Sequence, residues 1–227
     1  MKCCPPNCLR NDNRPHPLPG DAAMTVPATK PQFDAPSYLA WEAEQPEKHE
    51  YLDGEVFAMA GASESHVTLA GNLFMALRNH LRGSPCSVFI SDMKLQVEAD
   101  NAFFYPDVFV TCAESDRAHS HFKTAPSLVV EVLSPTTSAY DRGAKFAAYR
   151  KLPSLREYAL VDTERLSIDL FRRDETGHWV LYPSEGGDTV EFASVGLNVA
   201  VDRVYEDVNM EEKESPLNDA QTSISRN

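Results

Sequence analysis

A mixed α/β fold, an α+β arrangement in which helices flank a mixed β-sheet, follows from three observations in the 227-residue sequence. Two amphipathic stretches of helical period are interleaved with runs rich in Val, Phe and Ile, and tight-turn dipeptides separate those runs. No apolar run approaches the ~18 residues of a membrane span. The order helix, strands, helix, strands is that of a sheet with helices packed against it. A hydrophobic content of 42% over this length supports one buried core and not two.

Residues 1–35 are rich in Pro, Asn and Asp and lack apolar periodicity, so a disordered N-terminal tail is expected there. Met24, within it, begins a stretch that reads like an ordinary start. Residues 36–43 read as a short helix with Ser37 as cap for Tyr38, Leu39 and Trp41. Residues 50–60 read as a hairpin turning at Asp53-Gly54. From Ser63, Val67, Leu69, Ala70, Leu73, Leu77 and Leu81 recur at helical spacing until Gly83 and Pro85 stop the run. Three strand-like runs follow at 87–97, 103–112 and 127–133. A second amphipathic helix is expected over 141–151, closed by Pro153, and further strands over 157–161, 166–172 and 179–182. The acidic, then Ser/Asn-rich segment 209–227 reads as a second disordered tail, which leaves 36–208 as the folded domain.

The formal net charge is -13. That excludes a general basic coat for nucleic acid, so any polyanion must find its positive charge locally. The stretch 142–156 offers Arg142, Lys145, Arg150, Lys151 and Arg156 against Asp141 just before it; the plainer reading is a solvated helix face. Cys3, Cys4 and Cys8 crowd the N-terminus, and with His16 they lack the paired C-x-x-C spacing of structural zinc sites. Cys86 and Cys112 lie in apolar segments and read as buried, reduced thiols, which together with the absence of a secretion signal fits a cytoplasmic protein.

Two carboxylates carry the chemistry. Tyr105-Pro106-Asp107-Val108 places one at the mouth of an apolar strand, and Glu131 lies inside the run Leu128-Val129-Val130-Glu131-Val132-Leu133. Burying an acid among valines is costly unless a cation, a hydrogen-bond network or a raised pKa accompanies it. Two such acids on neighbouring strands can share a hard divalent cation through oxygen ligands. Equally, Glu131 can pair with an Arg or Lys of the following helix. Ser134 and Thr136 read as helix caps and not as nucleophiles, since neither has an adjacent base. Asp92 reads as the partner of a lysine or arginine, and His66, one turn into the long helix, reads as a satisfied histidine or a phosphate contact.

Pro106-Asp107, then Glu131-Val132-Leu133-Ser134-Pro135-Thr136, then Asp141-Arg142-Gly143 with Lys145 and Tyr149, and finally Glu157-Tyr158 with Val161-Asp162, resemble the Uma-two family of the PD-(D/E)XK nuclease superfamily. The resemblance also takes in 50–55, His66 and 91–94, and so spans roughly 36–208. It implies a restriction-endonuclease-like mixed sheet and a Mg²⁺ or Mn²⁺ site at Asp107, Glu131 and Val132, with Glu50 as an additional acid. The superfamily's simplest pattern puts lysine two residues after the glutamate; here that position is Leu133, and the matching lysine is Lys145 on the helix. The activity implied is metal-assisted hydrolysis of phosphodiester bonds in nucleic acid, with DNA favoured and a homodimer allowed. The alternatives are a catalytically silent member that binds nucleic acid or protein, and a hydrolase of small phosphate esters.

Overall fold

The computed structural model describes residues 34–59 and 61–210. Most of the two expected tails, and with them Cys3, Cys4, Cys8 and His16, lie outside the described residues.

Helix α1 (Ala35–Glu42) is capped by Asp34, whose carboxylate accepts the Ser37 amide at 2.8 Å. Asp34 and not Ser37 is the cap because Pro36 belongs inside the first turn, where its missing N–H costs nothing. Strands β1 (His49–Leu52) and β2 (Glu55–Ala58) form the expected hairpin, with Asp53 and Gly54 at φ 45° and 90°, the positive pair that a two-residue turn of this hand requires. Helix α2 (Glu64–His80) begins at the Ser63 cap, whose hydroxyl accepts the His66 amide at 3.3 Å.

The two long strands expected over 87–97 and 103–112 are each broken. The first becomes β3 (Ser87–Ile90) and β4 (Lys94–Val97), the second β5 (Ala102–Phe104) and β6 (Val108–Thr111). Both breaks fall where the chain passes between two sheets. Ser91, at φ 49°, turns the first crossing, and Pro106, which cannot donate to a ladder, marks the second. After β7 (Phe122–Lys123) and β8 (Pro126–Val132), the second helix is a composite of α3 (Ser138–Tyr140), a π-helical turn (Asp141–Lys145) and α4 (Phe146–Tyr149). It starts and ends earlier than the 141–151 expected. Strands β9 (Glu157–Val161), β10 (Ser167–Arg173) and β11 (Trp179–Glu185) follow, then β12 (Thr189–Phe192), β13 (Leu197–Ala200) and the short α5 (Val201–Val204).

Among the described residues the strands form a six-stranded sheet in the order β11-β10-β9-β8-β6-β3, a five-stranded sheet β2-β1-β5-β4-β7, and the β12-β13 hairpin. Strand β8 is central, antiparallel to β6 and parallel to β9. Its alternate residues Leu128, Val130 and Val132 pack toward Leu69, Leu73 and Leu77 of α2, while Val129 and Leu133 pack toward Phe104, Phe109 and Tyr149. Covered on both faces, it reads as a nearly unbroken valine run. Each buried Val or Leu there contributes roughly 1.5–3 kcal/mol of transfer free energy, which is what allows one acid to be carried in the same strand. No helix among the described residues is long and apolar enough to cross a membrane.

The reading of Cys86 and Cys112 as buried, reduced thiols is corrected. Ser87 opposes Thr111 in the β3–β6 ladder, so the next pair in register sets the two cysteines side by side, and they form a disulfide with Cys112 exposed.

Candidate active site

The β6–β8 register sets Val108 opposite Val130, and one further step brings Asp107 beside Glu131. The Asp107 amide donates to Glu131 Oε2 at 3.4 Å, and the Val132 amide donates to Asp107 Oδ2 at 2.7 Å. The two acids predicted from the sequence therefore share one strand end. Val132 takes part through its backbone alone, since its side chain lies in the core.

Glu50 arrives from β1 in the other sheet, with Oε1 accepting the Tyr105 amide at 3.4 Å. Lys145, the last residue of the π turn, reaches back over this strand end. Its ammonium lies 3.0 Å from Glu50 Oε1, 3.1 Å from Glu131 Oε1 and 3.7 Å from Asp141 Oδ1, and 6.0 Å from the centre of the Phe104 ring. The Tyr149 hydroxyl donates to Glu131 Oε1 at 2.9 Å. Both readings of Glu131 thus describe the same place: it neighbours Asp107 and it pairs with the helix lysine.

The sequence reading gave Asp141 no place in the site, although it stands in the Asp141-Arg142-Gly143 motif and beside the basic stretch. It is buried in the π turn, and the Tyr158 hydroxyl holds its carbonyl at 3.0 Å. An acid four residues before the candidate lysine was the available signal; the inward aim of both comes from the π turn, a geometry often found at functional sites. His66 is also drawn in. Its Nε2 lies 3.3 Å from Asp107 Oδ2.

Three acids, Glu50, Glu131 and Asp141, thus surround one lysine, and a fourth, Asp107, adjoins Glu131 with His66 at its margin. Burial above all pushes Glu131 up, to about 8; Lys145 opposes this, while Asp107, Asp141 and Glu50 add to it. Asp141 is likewise raised by burial, against Lys145 and the Thr137 hydroxyl. Burial would lower Lys145, but Glu131, Glu50 and Asp141 together overrule it and raise it. The directions for Glu131 and Lys145 compete, since a protonated Glu131 would remove part of what holds the ammonium. With three carboxylates around Lys145, the proton stays on the lysine, and the raised Glu131 expresses the avidity of the acid cluster as a whole for one more proton. His66 is depressed by burial but raised overall by Asp107, the Val132 carbonyl and Asp141.

Among the described residues no three His, Cys, Asp or Glu side chains form a ready-made metal cage. The donor chemistry nevertheless fits Mg²⁺ or Mn²⁺: all the acids are oxygen donors in excess of the nearby cations, and Mg²⁺ commonly takes only one or two carboxylates and completes its shell with water and substrate phosphate.

The remaining candidates lie outside this cluster. The Asp92 side chain is 86% exposed and pairs with Lys48 at 2.6 Å, and the Ser134 hydroxyl accepts the Thr137 amide at 3.1 Å, as a cap does. The basic stretch is largely neutralised: Arg142 pairs with Asp169 at 2.7 Å, Lys151 pairs with Asp100, and Lys145 is turned inward. Of the two readings of this stretch, a local positive field and a solvated helix face, the first is weakened, because carboxylates from other elements, out of view in the linear sequence, meet three of its five cations.

The family model Uma2, described as "Putative restriction endonuclease", matches residues 35–202. The uncharacterized protein slr1290 of Synechocystis sp. (strain PCC 6803) is 43% identical over 183 residues, covering 81% of this chain and 96% of the relative. The uncharacterized protein sll1609 of the same organism is 34% identical over 174 residues, covering 75% and 98%. A crystal structure titled as that of a "putative nuclease" from Anabaena variabilis superposes with a TM-score of 0.61 at 15% identity, covering 75% of this chain and 96% of that one, a likeness of fold.

Proposed function

Because the chain belongs to the Uma2 restriction-endonuclease family, we propose that it is a divalent-metal-dependent endonuclease that hydrolyses phosphodiester bonds of nucleic acid, DNA in the first place, through a domain spanning 36–208. The observation that carries this reading is the meeting of Asp107 and Glu131 at one strand end with Lys145 3.1 Å from Glu131.

In this reading Asp107 and Glu131, with the Val132 carbonyl, hold Mg²⁺ or Mn²⁺. When bound, the metal lowers the pKa of a water and offsets charge on the phosphate. Glu131 divides its oxygens, with Oε1 kept by Lys145 and Tyr149 and Oε2 turned toward Asp107. Lys145, held protonated, presents a fixed positive charge to the scissile phosphate, the preorganised kind of stabilisation that costs no rearrangement during reaction. Glu50 and Asp141 fix where that charge stands. The buried aromatic wall of Phe104, Tyr149 and Tyr158 excludes water from the far side.

The test is cleavage of supercoiled plasmid by the full chain with Mg²⁺, Mn²⁺ or EDTA. Asp107→Asn and Glu131→Gln should each abolish metal-dependent cutting while the circular dichroism spectrum is retained. Cutting at the wild-type rate by either purified variant, or undiminished cutting in EDTA, would sink the assignment.

A further inference from the structure

A nuclease of net charge -13 whose site gathers four acids needs cations at its rim, and the basic helix has mostly given its own away to ion pairs. Lys94 stands apart. It opens β4, where Leu95 opposes Phe104, so the next pair in register sets Lys94 beside Tyr105. Its ammonium lies 5.1 Å from the centre of the Tyr105 ring, and the Lys48 ammonium lies 5.8 Å from the same centre.

The ring that holds them is anchored. Tyr105 is buried, its hydroxyl donates to Glu42 Oε1 at 2.7 Å, and Glu42 is itself fixed by the His49 amide at 2.9 Å. Lys48 donates to the Ser91 carbonyl at 3.2 Å and to Asp92 at 2.6 Å, while the Ser91 amide donates to the Asp107 carbonyl at 3.1 Å. Both lysines are therefore tied to the two chain crossings, 91–93 and 105–107, the second of which delivers Asp107. Ser91 holds φ 49°, a left-handed conformation that a serine keeps only where its surroundings impose it.

Lys48 has Asp92 as its counter-charge, whereas Lys94 has no ion-pair partner among the described residues. Burial lowers the Lys94 ammonium, with Glu42 opposing in part. A half-buried ammonium held on an aromatic face without an ion-pair partner among the described residues is well suited to receive an anion.

We propose that Lys94, with Lys48 behind it on the Tyr105 ring, contacts a backbone phosphate of the nucleic acid beside the one that is cut. The proposal rests on the nuclease reading and deepens it by naming a substrate contact outside the acid cluster. An ammonium over a ring in place only to cover the phenol would leave nucleic-acid binding unchanged, and the experiment separates the two.

The probe is a fluorescein-labelled DNA duplex, bound to the full chain carrying Glu131→Gln so that it stays intact, and followed by fluorescence anisotropy from 50 to 200 mM salt. One lost phosphate contact lowers the slope of log K against log salt by about 0.9. Lys94→Ala and Lys94→Met should both show that change, together with roughly three- to tenfold weaker binding at mid-range salt, and Lys94→Arg should restore both. Lys151→Ala, its ammonium already paired with Asp100, should alter neither. An unchanged slope in both Lys94 variants, when the parent binds and the wild type cuts, overturns the phosphate contact and leaves the nuclease reading standing. A parent chain that shows no salt-dependent binding, beside a wild type that cuts nothing, overturns both.

Discussion

Two buried acid–lysine clusters in this molecule make opposite use of the same ingredients. In the turn between β6 and β8, buried Asp116 accepts the Thr111 hydroxyl at 2.7 Å, the Thr124 amide at 2.8 Å, the Thr124 hydroxyl at 3.0 Å and the Ala125 amide at 3.1 Å. Burial pushes its carboxyl up, but these bonds overrule it and hold it below the usual range. The neighbouring Lys123 donates to the Asp116 and His119 carbonyls. At the β6–β8 strand end, by contrast, Glu131, Glu50 and Asp141 share one ammonium, and burial lifts Glu131 to about 8. Burial of charge is common to both; only the second is left with more charge than partners. A locally satisfied acid ties a loop down, and an unsatisfied one is available for chemistry.

The sharpest way to break this comparison is to remove one member of each cluster. Lys145→Ala should lower turnover by about 10² or more, as loss of a positioned electrostatic group does. Asp116→Ala should instead leave turnover of the folded protein within about threefold and cost roughly 3 kcal/mol of stability, through several orphaned donors. Plasmid cleavage well below the melting temperature, together with urea unfolding, reads both. Equal losses of turnover in the two variants would erase the distinction.

A smaller effect concerns pH. Glu131 is raised from 4.5 to about 8, so the stability linked to its proton is present below pH 4.5 and lost as pH rises through about 8. Without divalent cation, the thermal midpoint should therefore fall between pH 5 and 9, and Mg²⁺ should flatten the fall by binding the ionised form. His66, also raised, acts with the same sign. Glu131→Gln should remove most of the slope; if the slope persists in that variant, Asp141 or His66, both also raised, and not Glu131 is its source.

The smallest expected change is at the Ser63 cap, which begins the helix that carries His66. Ser63→Ala should cost about 1 kcal/mol in urea unfolding, with cleavage little altered. A large loss of cleavage would show that the His66 contact with Asp107 depends on the cap and matters for turnover.

Much of this was legible in the sequence because it is local. The Asp53-Gly54 turn, the Ser63 cap, the valine run of β8 and the acid inside it each announce themselves within a few residues. Lys145 and Glu50 were legible only by resemblance, since nothing near them in the chain points to Glu131. What escaped was set by distant partners or by backbone detail: the breaks at Ser91 and Pro106, where one strand serves two sheets; the pairing of Arg142 with Asp169 and of Lys151 with Asp100; the facing of Cys86 and Cys112; and the β12-β13 hairpin, whose Val190 and Phe192 reach the core formed with α2. Sequence pattern reports which side chains want burial, and it does not report which charge will be met from across the fold.

The π turn from Asp141 to Lys145 can be regarded as a phase shifter. Closing each hydrogen-bonded ring over one residue more than an α-helix does, it offsets everything downstream by about 100°, the angle one residue occupies in a helix of 3.6 per turn. Phe146 and Tyr149 owe their place against Tyr158 to that offset as much as to their own apolarity. The turn thereby lets one short helix satisfy two demands, an acid and a lysine facing the strand end within the turn and aromatic rings facing the core beyond it. A chain shortened by one residue there could keep its helical content and its hydrophobic pattern and still lose the alignment of its chemistry with its core.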